Sequence, residues 1–271
     1  MTQRDMNGQS PAPTATYSLG HDAAAAEAMA VRHAASEAAF LLPHLTPGMS
    51  LLDCGCGPGS ITLGLARQVA PGQVTGVDIG ESHLRVAREE ALRQGIANAE
   101  FQVADLLALP FGEACFDAVL MHTVLDHVGD VAGALAQARR VLRPGGVLGI
   151  RSMDRRGILH WPEDASTRTA YDLLWRRMEL AGGGASRGTS MGAALVAAGF
   201  AVLDVVPSYY VGSRERTARS LEGDMGAHFI SAGFVDAPGL AALIRGLREA
   251  ARAPGAFLAI PMIGVVGRKP A

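Results

Sequence analysis

From Ser50 the chain alternates short apolar runs with helix-forming stretches, and this rhythm limits its fold more than any other feature. The runs are SLLDCG, QVTGVDI, AEFQVAD, FDAVLMH and GGVLGIRS, and helical stretches open near Ser60, Ser82 and Val131. Near-continuous apolar strands between helices specify a parallel sheet covered on both faces. In RVLRPGG, arginines followed by Pro144 and Gly145 are stop signals for the helix from Val131, and the fifth strand follows directly. Further along, MGAALVAAGFAVLDVVPSYYV reads as helix, a stop at Gly199 and strand, and AFLAIPMIGVVGRK as a last strand. The expectation is an α/β sheet of about seven strands.

The rhythm breaks over 152–190, where RRGILHWPE and YDLLWRRMEL precede a GGGASRG loop, as an inserted cap would. RERTARSLEGDMGAHFISAGF and PGLAALIRGLREAAR read as further helices. Before the rhythm starts, an Ala-rich run from His21 to Leu42 favours helix and stops at Pro43. The expected organisation is a flexible leader (1–16), a helical lid (17–48), a ligand-binding core (49–151), and a cap that also completes the sheet (152–271).

The loop after the first strand, LLDCGCGPGS, holds Gly55, Gly57 and Gly59, where missing side chains permit a tight turn and close approach to a ligand. In an open α/β sheet such a loop lies at the carboxyl ends of the strands, where ligands bind. A dinucleotide fingerprint would place its third glycine at position 60, which is serine. Asp78 ends the second strand, where a carboxylate accepts from ribose hydroxyls, and Asp105 follows the third, where one accepts from an adenine amine. Asp53 would repel a pyrophosphate and favour an ammonium. Adenosine joined to an amino acid without phosphates is S-adenosylmethionine. Zinc is disfavoured, because beside Cys54 and Cys56 only Cys115 remains.

DCGCGPG, GVDI, ADLLALPF, FDAVLMHTVLDHV and RVLRPGG together resemble, in order and spacing, the class I S-adenosylmethionine-dependent methyltransferases of the ubiquinone/menaquinone-biosynthesis type. The resemblance covers about residues 17–150 and implies a Rossmann-like doubly wound seven-stranded sheet, mostly parallel with the last strand antiparallel. It further implies that Gly55, Cys56 and Gly57 pack against the methionyl part, with Asp53 near its ammonium. Asp78 would hold the ribose, with Ile79 on the adenine face, and Asp105 and Leu106 would read the adenine edge. Met121 and His122 would lie along the methionyl chain, and Tyr17 would close over the cofactor.

An oxygen or nitrogen acceptor that arrives protonated needs a base, and so does a ring carbon. Asp126, His122 and His228 are the candidates, with Tyr17 as a helper. Arg187 in the glycine loop would bind an anionic group or face solvent. The 24 basic and 26 acidic residues leave a formal charge of −2, without the basic field of a nucleic-acid binder. MHTVLDH also lacks the turn of nucleobase amine methyltransferases. A small molecule is the expected partner, a secondary metabolite methylated at carbon, nitrogen or oxygen, with an aromatic or indole-like acceptor among the options. The leader lacks a secretory apolar segment and AFLAIPMIGVVG is too short to span a bilayer, so no membrane partner and a cytoplasmic location are expected, for a monomer or homodimer. The alternatives are a non-methylating S-adenosylmethionine-binding sensor or rearrangement catalyst and, behind it, an NAD-dependent dehydrogenase.

Overall fold

The computed structural model describes residues 32–184 and 186–271. After a short helix α1 (Ala34–Glu37), strands β1 (Leu51–Cys54), β2 (Val74–Asp78), β3 (Ala99–Val103), β4 (Phe116–His122) and β5 (Leu142–Met153) form the predicted core. They alternate with helices α2 (Ser60–Val69), α3 (Glu81–Arg93) and α4 (Val131–Val141). Beyond β5 come β6 (Leu159–Trp161), α5 (Ala165–Leu180), α6 (Met191–Ala197), β7 (Ala201–Val211), α7 (Arg214–Glu222), α8 (Asp224–Ser231), α9 (Ala237–Ala251) and β8 (Phe257–Arg268).

One sheet holds all eight strands. β1 pairs in parallel with β2 and with β4, β2 with β3, and β4 with β5. Strand order therefore reverses between β1 and β4, which opens a crevice at their carboxyl ends. β8 runs antiparallel to β5 and to β7, as expected of the last strand. The count is eight instead of seven because of β6. Ile263 of β8 pairs with Ser152 and Pro207, and Ala259 with Leu159 and Val211, so β5 and β6 share one edge of β8 while β7 takes the other. β6 thus resumes the line of β5 after a turn.

Two further expectations change. α4 ends at Val141 and β5 begins at once, with register jumping from Phe116↔Leu142 to Ala118↔Val147. Arg143 to Gly146 form a bulge inside the strand, and Gly145 takes φ +79°, a conformation that glycine adopts without strain. Of the Ala-rich run, residues 21–31 lie outside the described residues, and among the rest only Ala34–Glu37 is α-helical. The following turn is part of the core. Leu41 is fully buried over Gly149, where a Cβ would come 2.9 Å from its Cδ2.

Strand alternation divides the core. Leu52, Cys54, Val119 and Met121 pack toward α4 and α6, whereas Leu51, Ala118 and Leu120 pack toward α1 and α2. The helices beyond β5 bury a cluster of their own, including Leu173 of α5, Ala218 and Leu221 of α7, Phe229 of α8 and Leu243 of α9.

Candidate active site

The crevice beyond β1, β2 and β4 is lined by Asp53, Gly55, Cys56, Gly57, Asp78, Ile79, Asp105, Leu106 and His122, all expected cofactor residues. Local geometry puts them there. Gly55, Gly57 and Gly59 have φ of +75°, +53° and +79°, so the loop turns in a conformation costly to other residues. A Cβ on Gly55 would lie 2.5 Å from Val124 Cγ2, and one on Gly59 2.8 Å from Ala87 Cβ. The loop is thereby wedged between the exit of β4 and α3.

Asp78 organises it. One carboxylate oxygen accepts from Gly57 N at 2.9 Å and the other from Gly80 N at 2.8 Å. Burial alone would raise this carboxyl, but the His83 ring and these two amides outweigh it and hold it below its ordinary value, so it is an anion facing the cleft. Asp53 differs. It is 2% exposed and accepts from Thr62 Oγ1 of α2 at 2.6 Å, and burial, assisted by nearby Asp78, pushes it up to about 7. Such a carboxyl gains most from a cation brought beside it. Asp105 lies at the cleft edge and accepts from Leu107 N at 2.8 Å.

The wall at the end of β4 is strained. Thr123, a β-branched residue, takes φ +56° and donates its amide to Arg151 O at 2.7 Å. This turns the chain into a single 3-10 turn, Val124–His127, which brings Val124 and His127 into the lining beside His122. Both imidazoles are held neutral: burial, above all, lowers each to about 4.

Met121 is displaced from its expected place. It is fully buried and packs in the core toward α4, because it points to the opposite face of β4 from His122. Alternation alone forbids both neighbours from facing one cleft. Asp126 is fully buried and does not line the cleft; it accepts from Met153 N at 3.3 Å, and burial pushes it up to about 8. It is a neutral acid under the turn, not a base above it. His228 is also away from the cleft, on the exposed side of α8, with its ring centroid 6.3 Å from those of Phe229 and Phe234. Tyr17 lies outside the described residues. The Arg187 guanidinium donates to the carbonyls of Leu125 and Val128 and ties the glycine loop to the 3-10 turn.

Sequence reasoning missed Arg32, His83 and His127 in the lining, and Glu37 and Arg151 behind it. A signal existed for Arg151, a charge inside the buried run VLGIRS, which needs a partner. None existed for Glu37 in an Ala-rich stretch. Among the described residues no group of three His, Cys, Asp or Glu side chains is placed to hold a metal ion. Burial, above all, raises the Cys54 and Cys56 thiols far above their ordinary range, as packing residues.

Residues 45–179 match the family described as a methyltransferase domain. The chain belongs to the class I S-adenosylmethionine-dependent methyltransferases. It is 33% identical over 185 residues to an uncharacterized methyltransferase of Schizosaccharomyces pombe, covering 65% of this chain and 65% of that protein. It is 39% identical over 105 residues to the demethylmenaquinone methyltransferase of Symbiobacterium thermophilum, covering 38% of this chain and 42% of that one. A putative methyltransferase from Bacillus halodurans shares the fold with a TM-score of 0.62 at 20% identity, covering 88% of this chain and all (100%) of that one. The chain thus spans 65% and 42% of the lengths of these two curated relatives. The family's cofactor suits this cleft, whose glycine cradle a Cβ would obstruct and whose strand ends carry carboxylates. No helix among the described residues is long and apolar enough to cross a membrane.

Proposed function

We propose that this methyltransferase-family chain moves a methyl group to a small, largely apolar acceptor, a secondary metabolite or an aromatic or quinone-like compound, at oxygen, nitrogen or carbon. The observation that carries the reading is one cleft lined both by Asp53, Asp78 and Asp105 and by the neutral imidazoles of His122 and His127. Asp53, Asp78 and Asp105 suit a cationic nucleoside without phosphates. S-adenosylmethionine supplies a sulfonium-activated methyl, so the chain's task is to align the acceptor and exclude water. Val124, Val128 and Ala181 offer an apolar seat beside His122 and His127. Similarity to a demethylmenaquinone methyltransferase supports an aromatic acceptor.

His122 is the residue proposed to contact the acceptor's proton. Tyr17 remains a proposed lid residue. Asp126 and His228 do not line the cleft, and no proton-transfer role is proposed for them. The test is binding followed by transfer. S-adenosylhomocysteine is expected to bind in preference to NADH, with affinity falling up to about tenfold per pH unit below 7 as Asp53 takes up a proton that binding must expel. Asp53→Asn is expected to weaken binding and abolish that slope. Radiolabel from the methyl group should then appear in phenolic, indolic or quinol acceptors. Tight binding with no transfer across that panel would favour the non-methylating reading, and preference for NADH would overturn both.

A further inference from the structure

Behind His122 lies a buried charge network outside the cleft. Glu37 Oε2 of α1 lies 3.1 Å from His122 Nε2 and accepts from the Arg151 guanidinium. Arg151 lies 3.3 Å from the same His122 nitrogen and donates onward to Ser208 Oγ of β7 at 3.2 Å, and Ser208 donates to Met262 O at 3.2 Å. Glu37, His122 and Arg151 are 9%, 6% and 4% exposed. Desolvation makes such a buried pair a poor source of stability, and apolar residues of like volume hold a core equally well. The network therefore needs another explanation.

Its geometry supplies one. Neither Glu37 nor Arg151 lines the cleft, whereas His122 and Thr123 do. Thr123 Oγ1 lies 3.5 Å from His122 Nδ1, so the Nδ1 edge is the cleft side of the ring and the Nε2 edge the protein side. Two neighbours compete for Nε2: the Glu37 carboxylate at 3.1 Å can only accept, and the Arg151 guanidinium nitrogen at 3.3 Å can only donate. The shorter contact, with the repulsion between a bare lone pair and a carboxylate oxygen, favours a hydrogen on Nε2. We propose that Glu37, held in place by Arg151, is a positioning residue that fixes His122 as the Nε2–H tautomer, so that Nδ1 presents a lone pair to an acceptor bearing an O–H or N–H. The acceptor class is then a phenol, alcohol or amine in preference to a ring carbon.

The inference rests on methyl transfer for its purpose. As the acceptor heteroatom bonds the methyl carbon, its proton passes to Nδ1 and the carbon–sulfur electron pair stays on sulfur. The imidazolium formed is steadied by Glu37 and loses its proton to water, a release favoured by burial and by the positive charges of Arg32 and Arg151. His127, also neutral, is the other titratable ring on this wall.

Nitrogen-15 NMR of histidine-labelled full-length chain, with His122 assigned by comparison with His122→Gln, reads the tautomer without any turnover. Nε2–H is expected. Glu37→Leu alone leaves Arg151 buried and uncompensated and is expected to unfold readily, so the informative variant is the double Glu37→Leu/Arg151→Met, which removes both charges. That variant is expected to fold, to bind S-adenosylhomocysteine as before, to give a mixed tautomer, and to lose roughly 100-fold in kcat on a phenolic or amine acceptor with KM little changed. An Nδ1–H tautomer in the unaltered chain, an unchanged tautomer in the folded double variant, or an unchanged kcat would each overturn the proposal. Absence of transfer by the unaltered chain, with the tautomer result as expected, would instead count against the methyl-transfer reading.

Discussion

Asp126 shows how far a residue's chemistry can depart from its type. Its carboxyl is ordinary in the unfolded chain and is pushed up to about 8 by burial in the folded one. Between about pH 4 and pH 8 the unfolded chain releases a proton that the folded chain keeps. Folding stability attributable to this group is therefore complete at low pH and falls as pH rises, by at most about 1.4 kcal/mol per unit. Asp126→Asn removes that penalty. Urea denaturation is expected to show the variant gaining on the unaltered chain from pH 5 to pH 8, and a difference constant across that range would mean that Asp126 is ionised in the fold. Asp53, a buried carboxyl near the end of β1, stays within reach of the cleft and can exchange its proton for a ligand's charge.

Among elements, the loop between β1 and α2 and the 3-10 turn after β4 support each other. Gly55 has no room for a Cβ because Val124 fills the space, and its φ of +75° disfavours any side chain. Gly55→Ala therefore carries two separable costs. The backbone cost is about 1–2 kcal/mol, and the clash adds to it. Val124→Ala in the same chain removes the 2.5 Å contact to Cγ2 but keeps the 2.7 Å contact to Cβ, so it is expected to recover part of the clash portion of thermal stability and leave the backbone portion. The ligand-induced thermal shift with S-adenosylhomocysteine is expected to vanish in the single variant and return in part in the double one. Equal stability of the two variants would show that Val124 does not confine the loop. Arg187 acts on the same turn from the far side, which explains how a glycine-rich loop in the cap shapes the cleft without touching it.

At the scale of the whole molecule α7, α8, α9 and one face of α5 keep an apolar cluster of their own, while α6 packs on the sheet and α5 also sets Tyr171, Trp175 and Met178 against Leu258 and Ile260 of β8. Arg214, 4% exposed, is one link between that cluster's helices and the sheet, donating to Trp161 O at 3.1 Å, Phe257 O at 3.0 Å, Pro162 O at 2.9 Å and Thr167 Oγ1 at 2.7 Å. Native-state hydrogen exchange is expected to show α5, α7, α8 and α9 opening together at lower free energy than β1, β4 and β5. Arg214→Met should lower that opening by about 3 kcal/mol through the stranded Asp164 and leave the sheet amides unchanged. A uniform change over all amides would mean one cooperative unit. The sequence by itself determined the α/β rhythm, the left-handed glycine loop and the acidic ends of β1 to β3, since periodicity, backbone strain and strand ends are local properties. Its one miscount, β6, is a three-residue strand too short to carry a period. Only the tertiary structure decided which titratable groups meet. Glu37 and Arg151 are 114 positions apart, Asp126 is neutral because its side chain is buried against β5, and His228 falls on an exposed helix side. Burial and charge contact depend on chain segments distant in sequence, and no local pattern records them.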